Sequence, residues 1–195
     1  MTYGVRGPKV LITGTPGVGK TTQCALLAKS LSTNCISLGE LLSASPFVKY
    51  DPDLDTYEII DLEKAREVVA SHIRGGEVVD THVVALVPDP EAVIVLRKAP
   101  DVLFEELKSR GWPLRKVVDN VWAEILDVVY LEAAERWRRV WQIDVTKREA
   151  WETHLLVKTC VVQGRCVFEE VDWLSYAEET GFLAFIERLS RETES

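Results

Sequence analysis

The sequence lacks both a stretch that could cross a membrane and an excess of positive charge. No apolar run approaches the about 18 residues that indicate a membrane-spanning helix, so we expect no membrane association. Residues 1–8 include Arg6 and lack an apolar stretch, which predicts a cytoplasmic protein without a signal peptide. The net charge of −8 argues against strong nucleic-acid binding, which needs a basic surface, but is compatible with a basic protein partner.

Cysteine and methionine are scarce. The four cysteines include no CxxC pair, so we expect no zinc site; they are Cys24, Cys35, Cys160 and Cys166. Buried or free thiols are the simplest interpretation, and a Cys160–Cys166 disulfide stays open if the compartment or the organism permits it. The single methionine and the many residues able to form ion pairs suggest a thermophile.

The length and composition suit one folded domain. A chain of 195 residues with 47% hydrophobic and 28% charged residues is typical of a globular protein with a single core. No internal repeat or low-complexity segment is present. We therefore expect residues 1–195 to form one domain, to which small mobile parts could be attached.

The strongest motif is a glycine-rich loop at residues 14–21, with the sequence GTPGVGKT. It follows an apolar run at 9–13 that predicts a strand, and it precedes residues 22–29, whose apolar spacing predicts a helix. Glycines let the backbone approach a polyphosphate closely, and the free N–H groups at the start of the helix attract anions. The pattern predicts a nucleotide site formed by Gly14, Pro16, Gly17, Val18, Gly19, Lys20, Thr21 and Thr22.

Four side chains have predicted roles in this chemistry. In such a loop, Lys20 brings a positive charge to the β and γ phosphates, and the Thr21 hydroxyl is placed to bind Mg²⁺. Asp80 ends an apolar run at 77–80 and is a second candidate for Mg²⁺, held directly or through water. His82 lies two residues further on, and its spacing leaves a catalytic and a structural role open.

Two arginines at the ends of predicted elements are candidate catalytic groups. Arg97 ends the apolar run at 92–96, and Arg110 closes the helix that begins at Pro100. A guanidinium at either position could neutralise the charge on a transferring phosphoryl group. The alternative for either residue is an exposed charge without a catalytic role.

The alternation of strand and helix patterns predicts an α/β fold. Strands are predicted at 9–13, 34–38, 77–80, 92–96 and 140–145, and helices at 22–29, 62–74, 100–110, 115–139, 147–162 and 172–191. This order is typical of a five-stranded parallel sheet with helices on both faces. Ligands of such sheets bind at the carboxyl ends of the strands, where Gly14, Asp80 and Arg97 all fall.

The segment at residues 47–61 differs in character from its surroundings. Five acidic residues stand here among two tyrosines: Asp51, Asp53, Asp55, Glu58 and Asp61 with Tyr50 and Tyr57. We consider two interpretations equally: a solvated acidic loop, and a mobile flap over an acceptor site, since long loops in compact domains are often functional.

Four stretches together resemble the adenylate kinase isoenzyme 6 family of adenylate-kinase-like P-loop NTPases. They occur in the order and spacing of that family, at residues 13–22, 79–82, 95–112 and 119–125. The most discriminating parts are Asp-x-His at 80–82, and Arg-Gly-Trp at 110–112 followed by Asp-Asn-x-x-x-Glu-Ile. The first stretch is shared widely among small kinases.

The resemblance implies an ATP-dependent adenylate kinase with ATPase activity, acting in ribosome biogenesis and rRNA processing of the small subunit. It implies that residues 17–22 hold ATP, that Asp80 holds Mg²⁺ and water, and that His82 influences phosphoryl transfer. Arg110 would stand at the start of a lid over ATP, at about 109–119, and residues 38–60 would bind the monophosphate. The partner would be a small-subunit ribosomal protein of the S11 type.

One position departs from the family pattern. Where the family carries an arginine that could grip the acceptor phosphate, this chain has Ser43, and Lys49 is the nearest cation. Two functions therefore stand side by side: a kinase that makes two ADP from ATP and AMP, and an ATPase switch that uses water as acceptor and positions or releases a ribosomal protein. A nucleotide-bound binding module without catalysis is a third.

Overall fold

The computed structural model describes residues 7–167 and 169–194. The strands in this part of the chain are β1 (Val10–Thr13), β2 (Cys35–Ser37), β3 (Val48–Asp51), β4 (Thr56–Ile59), β5 (Val78–Asp80), β6 (Ala92–Arg97) and β7 (Val140–Asp144). The helices are α1 (Lys20–Leu31), α2 (Leu38–Leu42), α3 (Leu62–His72), α4 (Pro100–Ser109), α5 (Leu114–Ile125), α6 (Val128–Arg136), α7 (Ala150–Gln163), α8 (Trp173–Glu179) and α9 (Phe182–Glu194).

A parallel sheet of five strands, in the order β2-β5-β1-β6-β7, forms the centre of the fold and confirms the predicted architecture. The central strand β1 is buried along its whole length. Its side chains alternate between two core layers: Val10 and Ile12 pack with α1, α4, α5, α7, α8 and α9, whereas Leu11 packs with α2, α3 and α6. The carboxyl ends of the strands consequently meet at one edge of the sheet, where the site is expected.

Two predicted helices are each divided in the structure. The single helix predicted at 115–139 is wrong: α5 ends and α6 begins around Asp127, whose φ of 57° is left-handed and breaks the helical path. No proline or glycine marks this break in the sequence. The helix predicted at 172–191 is divided into α8 and α9 at Gly181, with a φ of 73°.

The acidic segment at 47–61 is an antiparallel hairpin, β3–β4, outside the main sheet. Tyr50 lies opposite Tyr57 with ring centroids 5.2 Å apart, and the Tyr50 hydroxyl donates to the Asp55 carboxylate over 2.7 Å. The first interpretation, a solvated acidic loop, is wrong as to the loop, because cross-strand pairing orders the segment as a hairpin. The interpretation as a mobile flap stays a prediction.

All four cysteines are paired, as Cys24–Cys35 and Cys160–Cys166. The interpretation as free thiols is therefore wrong, and the open alternative of a Cys160–Cys166 bond is the one that the structure has. The Cys24–Cys35 bond joins α1 to β2, two elements whose contact the sequence spacing did not reveal. Within the described residues, none of the helices has the length and apolar character needed to cross a membrane.

Candidate functional site

The predicted phosphate loop lies between β1 and α1, and its glycines are required by its shape. Gly14 and Gly17 have φ values of 136° and 102°. A Cβ at Gly14 would lie 2.4 Å from the Leu96 carbonyl oxygen, and a Cβ at Gly17 would lie 2.7 Å from a methyl group of Leu107. The loop therefore packs on β6 and α4 more closely than any side chain would allow.

The buried carboxylate of Glu124 anchors the phosphate loop to neighbouring elements. The Lys20 ammonium donates to the Thr15 carbonyl over 3.0 Å, and the Thr15 hydroxyl donates to Glu124 of α5. Glu124 also accepts the backbone N–H of Lys98 and the indole N–H of Trp173, each over 3.0 Å. One carboxylate thus fixes the loop to β6, α5 and α8.

Arg97 supplies the countercharge of Glu124, and this corrects the expectation that it meets a phosphoryl group. Its side chain is 1% exposed, and its Nε donates to Glu124 over 2.9 Å. Three further N–H groups donate to the Glu124 carbonyl, to Gln142 and to Asp127. Because the side chain is buried and these partners take four of its five N–H donors, we remove Arg97 from the groups proposed to contact substrate.

Lys20 and Arg110 face the same small cavity. It has a volume of about 210 Å³ and is lined by Gly17, Gly19, Lys20, Thr21, Thr22 and Arg110. Burial lowers the pKa of Lys20 from 10.5 to about 8, although Asp80 and Glu124 favour its charged form; the Arg110 charge lowers it further. Two cations and the start of α1 therefore face a cavity suited to a polyphosphate.

Asp80 and Thr21 supply oxygens that fit Mg²⁺. Asp80 lies on β5 beside Ile12 of β1 and is 4% exposed. Its Oδ1 accepts from Ser37 over 3.3 Å, whereas its Oδ2 is buried without a hydrogen-bond partner. Burial raises the pKa of this carboxyl, against the opposing effects of Lys20, Thr21 and Ser37. A buried, unpartnered carboxylate oxygen beside a threonine hydroxyl is suited to a hard cation.

His82 opens into the neighbouring cleft and is neutral at physiological pH. Desolvation lowers its pKa from 6.5 to about 4, although the residue is exposed at the cleft, and the charges of Lys20 and Lys116 lower it further. The imidazole can therefore donate or accept a hydrogen bond there, but it does not contribute a positive charge.

The cleft at His82 has a volume of about 540 Å³ and is the candidate acceptor site. It is formed by α2, the β3–β4 hairpin, the start of α3 and the segment after β5, with lining residues Leu38, Gly39, Leu42, Ser43, Val48, Thr56, Tyr57, Glu58, Ile59, Leu62, Thr81, His82, Val83 and Leu86. Among these lining residues there is no lysine or arginine. Ser43 lines the cleft where an arginine was expected, and Lys49 does not line it.

A third cavity, of about 150 Å³, adjoins the phosphate loop on the side of β7. Its polar lining includes Gln23, Lys98 and Arg148. Gln23 donates through Nε2 to the Ala150 carbonyl over 2.9 Å, and its Oε1 is buried without a partner. This oxygen is suited to accept an N–H group, such as the amino group of a nucleotide base.

The structure thus brings five predicted site residues together and adds several that the sequence analysis missed. Lys20, Thr21 and Arg110 line the phosphate cavity, His82 lines the cleft, and Asp80 interacts with Lys20 and Thr21. The missed residues are Thr15, Glu124, Trp173 and Lys116. Glu124 belongs to the Asp-Asn-x-x-x-Glu-Ile stretch, but a motif does not reveal the partners of a buried carboxylate.

A phosphate loop on a parallel sheet, with an aspartate at the end of the adjacent strand, defines a P-loop protein of the nucleotide-kinase class. Comparisons with known proteins identify the family more closely. A family model described as an AAA domain matches residues 10–127. A protein of Pyrobaculum aerophilum named "Putative adenylate kinase" is 65% identical over 189 residues, which cover 97% of each chain. The chain therefore belongs to the adenylate-kinase-like family of P-loop kinases.

Further comparisons agree with this assignment. A protein of the same name from Sulfurisphaera tokodaii is 37% identical over 182 residues, covering 92% of this chain and 93% of the relative. A solved sugar kinase from Janibacter sp. matches the fold with a TM-score of 0.52 and 14% identity, covering 83% of this chain and 99% of that one. The structural likeness concerns the fold alone. The family relationship makes the chain a nucleotide-dependent phosphotransferase.

Proposed function

We propose that the protein transfers the γ-phosphoryl group of ATP to AMP and forms two ADP. The observation that carries this proposal is that the residues of the phosphate cavity interact with those of the cleft: Lys20 lines the cavity, His82 lines the cleft, and the Lys20 charge acts on both Asp80 and His82. In such a transfer, positioning and neutralisation of charge provide most of the catalysis, so no covalent intermediate with the protein is needed.

The residues divide this work between them. Lys20 and Arg110 neutralise charge on the β and γ phosphates, and the backbone N–H groups at the start of α1 hold the oxygens. Asp80 and Thr21 hold Mg²⁺, which neutralises phosphate charge when bound. The neutral His82 orients the attacking oxygen of the acceptor by a hydrogen bond.

A second candidate function is ATP hydrolysis, with water as the acceptor, coupled to small ribosomal subunit maturation. Two observations favour it: the cleft lining carries no cation for a monophosphate, and the hairpin beside it is acidic. Such a hairpin suits a basic protein, which would be the ribosomal protein of the S11 type that the sequence resemblance implied. In this case the protein would position or release that partner as it turns over ATP.

Product analysis separates the two functions. The protein is incubated with ATP and Mg²⁺, with and without AMP, and nucleotides and inorganic phosphate are quantified. We expect AMP to disappear as ADP appears in twice the amount, without inorganic phosphate. Inorganic phosphate released at the same rate with and without AMP would instead establish water as the acceptor and contradict the kinase proposal.

A further inference from the structure

The acceptor cleft raises a charge problem if it receives a nucleoside monophosphate. The lining residues contain the carboxylate of Glu58 and no lysine or arginine. A phosphate group placed there would lose water without gaining a cationic partner, which is unfavourable. A cation at the rim of the cleft is therefore required.

Lys116, in the first turn of α5, contacts the hairpin turn next to Thr56, which lines the cleft. Its ammonium donates to the Asp55 carbonyl, in the turn of the β3–β4 hairpin, over 2.5 Å. It also lies 4.1 Å from the ring centroid of Trp112, in the segment that joins α4 to α5. Lys116 thus bridges the predicted lid and the acceptor hairpin.

The contacts of Lys116 leave it able to take an anion. An ammonium has three N–H donors, and among the described residues the Asp55 carbonyl is the one hydrogen-bond acceptor that it uses. A backbone carbonyl is neutral, whereas a phosphate oxygen is charged and forms a hydrogen bond about twice as strong with an ammonium. The flexible side chain can therefore turn from the hairpin turn to a phosphate in the cleft.

Lys49, which sequence reasoning named as the nearest cation, has a different position. It is exposed on β3, where it pairs in register with Glu58 of β4, whereas Lys116 is half-buried against the hairpin turn; neither lysine is among the residues that line the cleft. The charge of Lys49 consequently lies in solvent on the hairpin, so this residue serves as a matched control for Lys116.

We propose that Lys116 is the cation that binds the phosphate of the nucleoside monophosphate acceptor, in place of the arginine that Ser43 replaces. This inference rests on the proposed kinase function, since it assigns the acceptor of that reaction. It also gives a reason for the contact between the Lys116 ammonium and the hairpin turn. The same side chain would hold the hairpin close to α5 and bind the substrate phosphate in the cleft.

Equilibrium binding of AMP tests the inference separately from catalysis. AMP is titrated by calorimetry into wild-type protein and into the Lys116→Met, Lys116→Arg and Lys49→Met variants, each saturated with a non-hydrolysable ATP analogue and Mg²⁺. Methionine keeps the length and the contact with Trp112 while removing the charge. We expect Lys116→Met to weaken AMP binding about 10- to 100-fold, as for loss of a hydrogen bond to a charged group. We expect Lys116→Arg to restore most of it and Lys49→Met to change it by less than about twofold.

The remaining outcomes distinguish the two proposals. If wild-type protein converts AMP but Lys116→Met binds AMP like wild type, the kinase function stands and the inference is overturned. If Lys116-dependent AMP binding is found without transfer to AMP, the inference stands and the kinase function fails. If wild-type protein does not bind AMP, both fail. The affinity for the ATP analogue is measured in parallel and should be unchanged in every variant, since Lys116 does not line the phosphate cavity.

Discussion

The two halves of the candidate site are built in different ways. The ATP half lies on the main sheet, and the buried Glu124 ties its loop to three other elements. The acceptor half is an isolated two-stranded hairpin, and Lys116 connects its turn to α5. Buried networks fix a geometry, whereas small exposed elements open and close at low free-energy cost. The difference suggests a preformed donor site and an acceptor site that closes around its substrate.

The largest expected effect comes from removing the charge of the donor half. Lys20→Ala should reduce phosphoryl transfer about 1,000-fold and weaken ATP binding, because the ammonium neutralises charge that develops on the phosphates. The fold should be intact, as circular dichroism and the melting temperature would report. Turnover at the wild-type rate would contradict the donor assignment. Lys29→Ala, an exposed lysine of the same helix, provides the control.

The rigidity of the donor half can be tested at its buried carboxylate. Glu124→Gln should lower the free energy of unfolding by about 3 kcal/mol, because it removes the buried one of the two carboxylates that pair with the Arg97 guanidinium and leaves only the partly exposed Asp127. It should also raise the KM for ATP, since the Thr15 hydroxyl loses a charged partner. Denaturant unfolding and steady-state kinetics measure the two effects. Glu132→Gln, at an exposed position of α6, is the control. Equal stability of the two variants would contradict the claim that the Glu124 network stabilises the donor half.

A somewhat smaller effect is expected at the junction of the two halves. Asp80→Asn should reduce activity about 100-fold and raise the Mg²⁺ concentration needed for half-maximal rate, because an amide is a poorer ligand for a hard cation than a carboxylate. A Mg²⁺ titration of the rate measures this shift. Asp119→Asn, at an exposed position, is the control. If Asp80→Asn has the same Mg²⁺ dependence as this control, Asp80 does not bind the ion.

The smallest effect is a pH dependence that should be confined to the donor half. The pKa of Lys20 is lowered to about 8, so the free protein loses this positive charge as the pH rises through that value. We expect kcat/KM for ATP to fall about fivefold between pH 8 and pH 9, because ATP binding requires the ammonium. The KM for AMP should change less over this range. A kcat/KM for ATP that stays constant to pH 9 would contradict the assignment.

The sequence predicted the donor half better than the acceptor half, for a physical reason. The phosphate loop and the strand ending at Asp80 are local patterns, in which neighbouring residues along the chain do the chemistry. Arg97 also ends a strand at the expected edge, but its partners come from α5 and β7, so its burial was not visible in the sequence. The break at Asp127 was missed for the same reason.

The acceptor half depends on contacts between distant segments. Asp55 and Lys116 are 61 residues apart in the chain, and composition alone indicated an acidic loop where the structure has a hairpin. The missing arginine was visible at Ser43, but its replacement could be sought only among sequence neighbours such as Lys49. The Cys24–Cys35 disulfide likewise could not be predicted from the spacing of the two cysteines, because the fold brings them together.

The most direct test of the central claim follows the transferred group itself. Wild-type protein is incubated with Mg²⁺, AMP and ATP that carries a label in its γ-phosphoryl group, and the labelled products are separated. The account predicts that the label appears in the β-phosphoryl group of newly formed ADP, and that it does not appear with Lys20→Ala. Label recovered as inorganic phosphate, with AMP unchanged, would contradict the account and establish water as the acceptor.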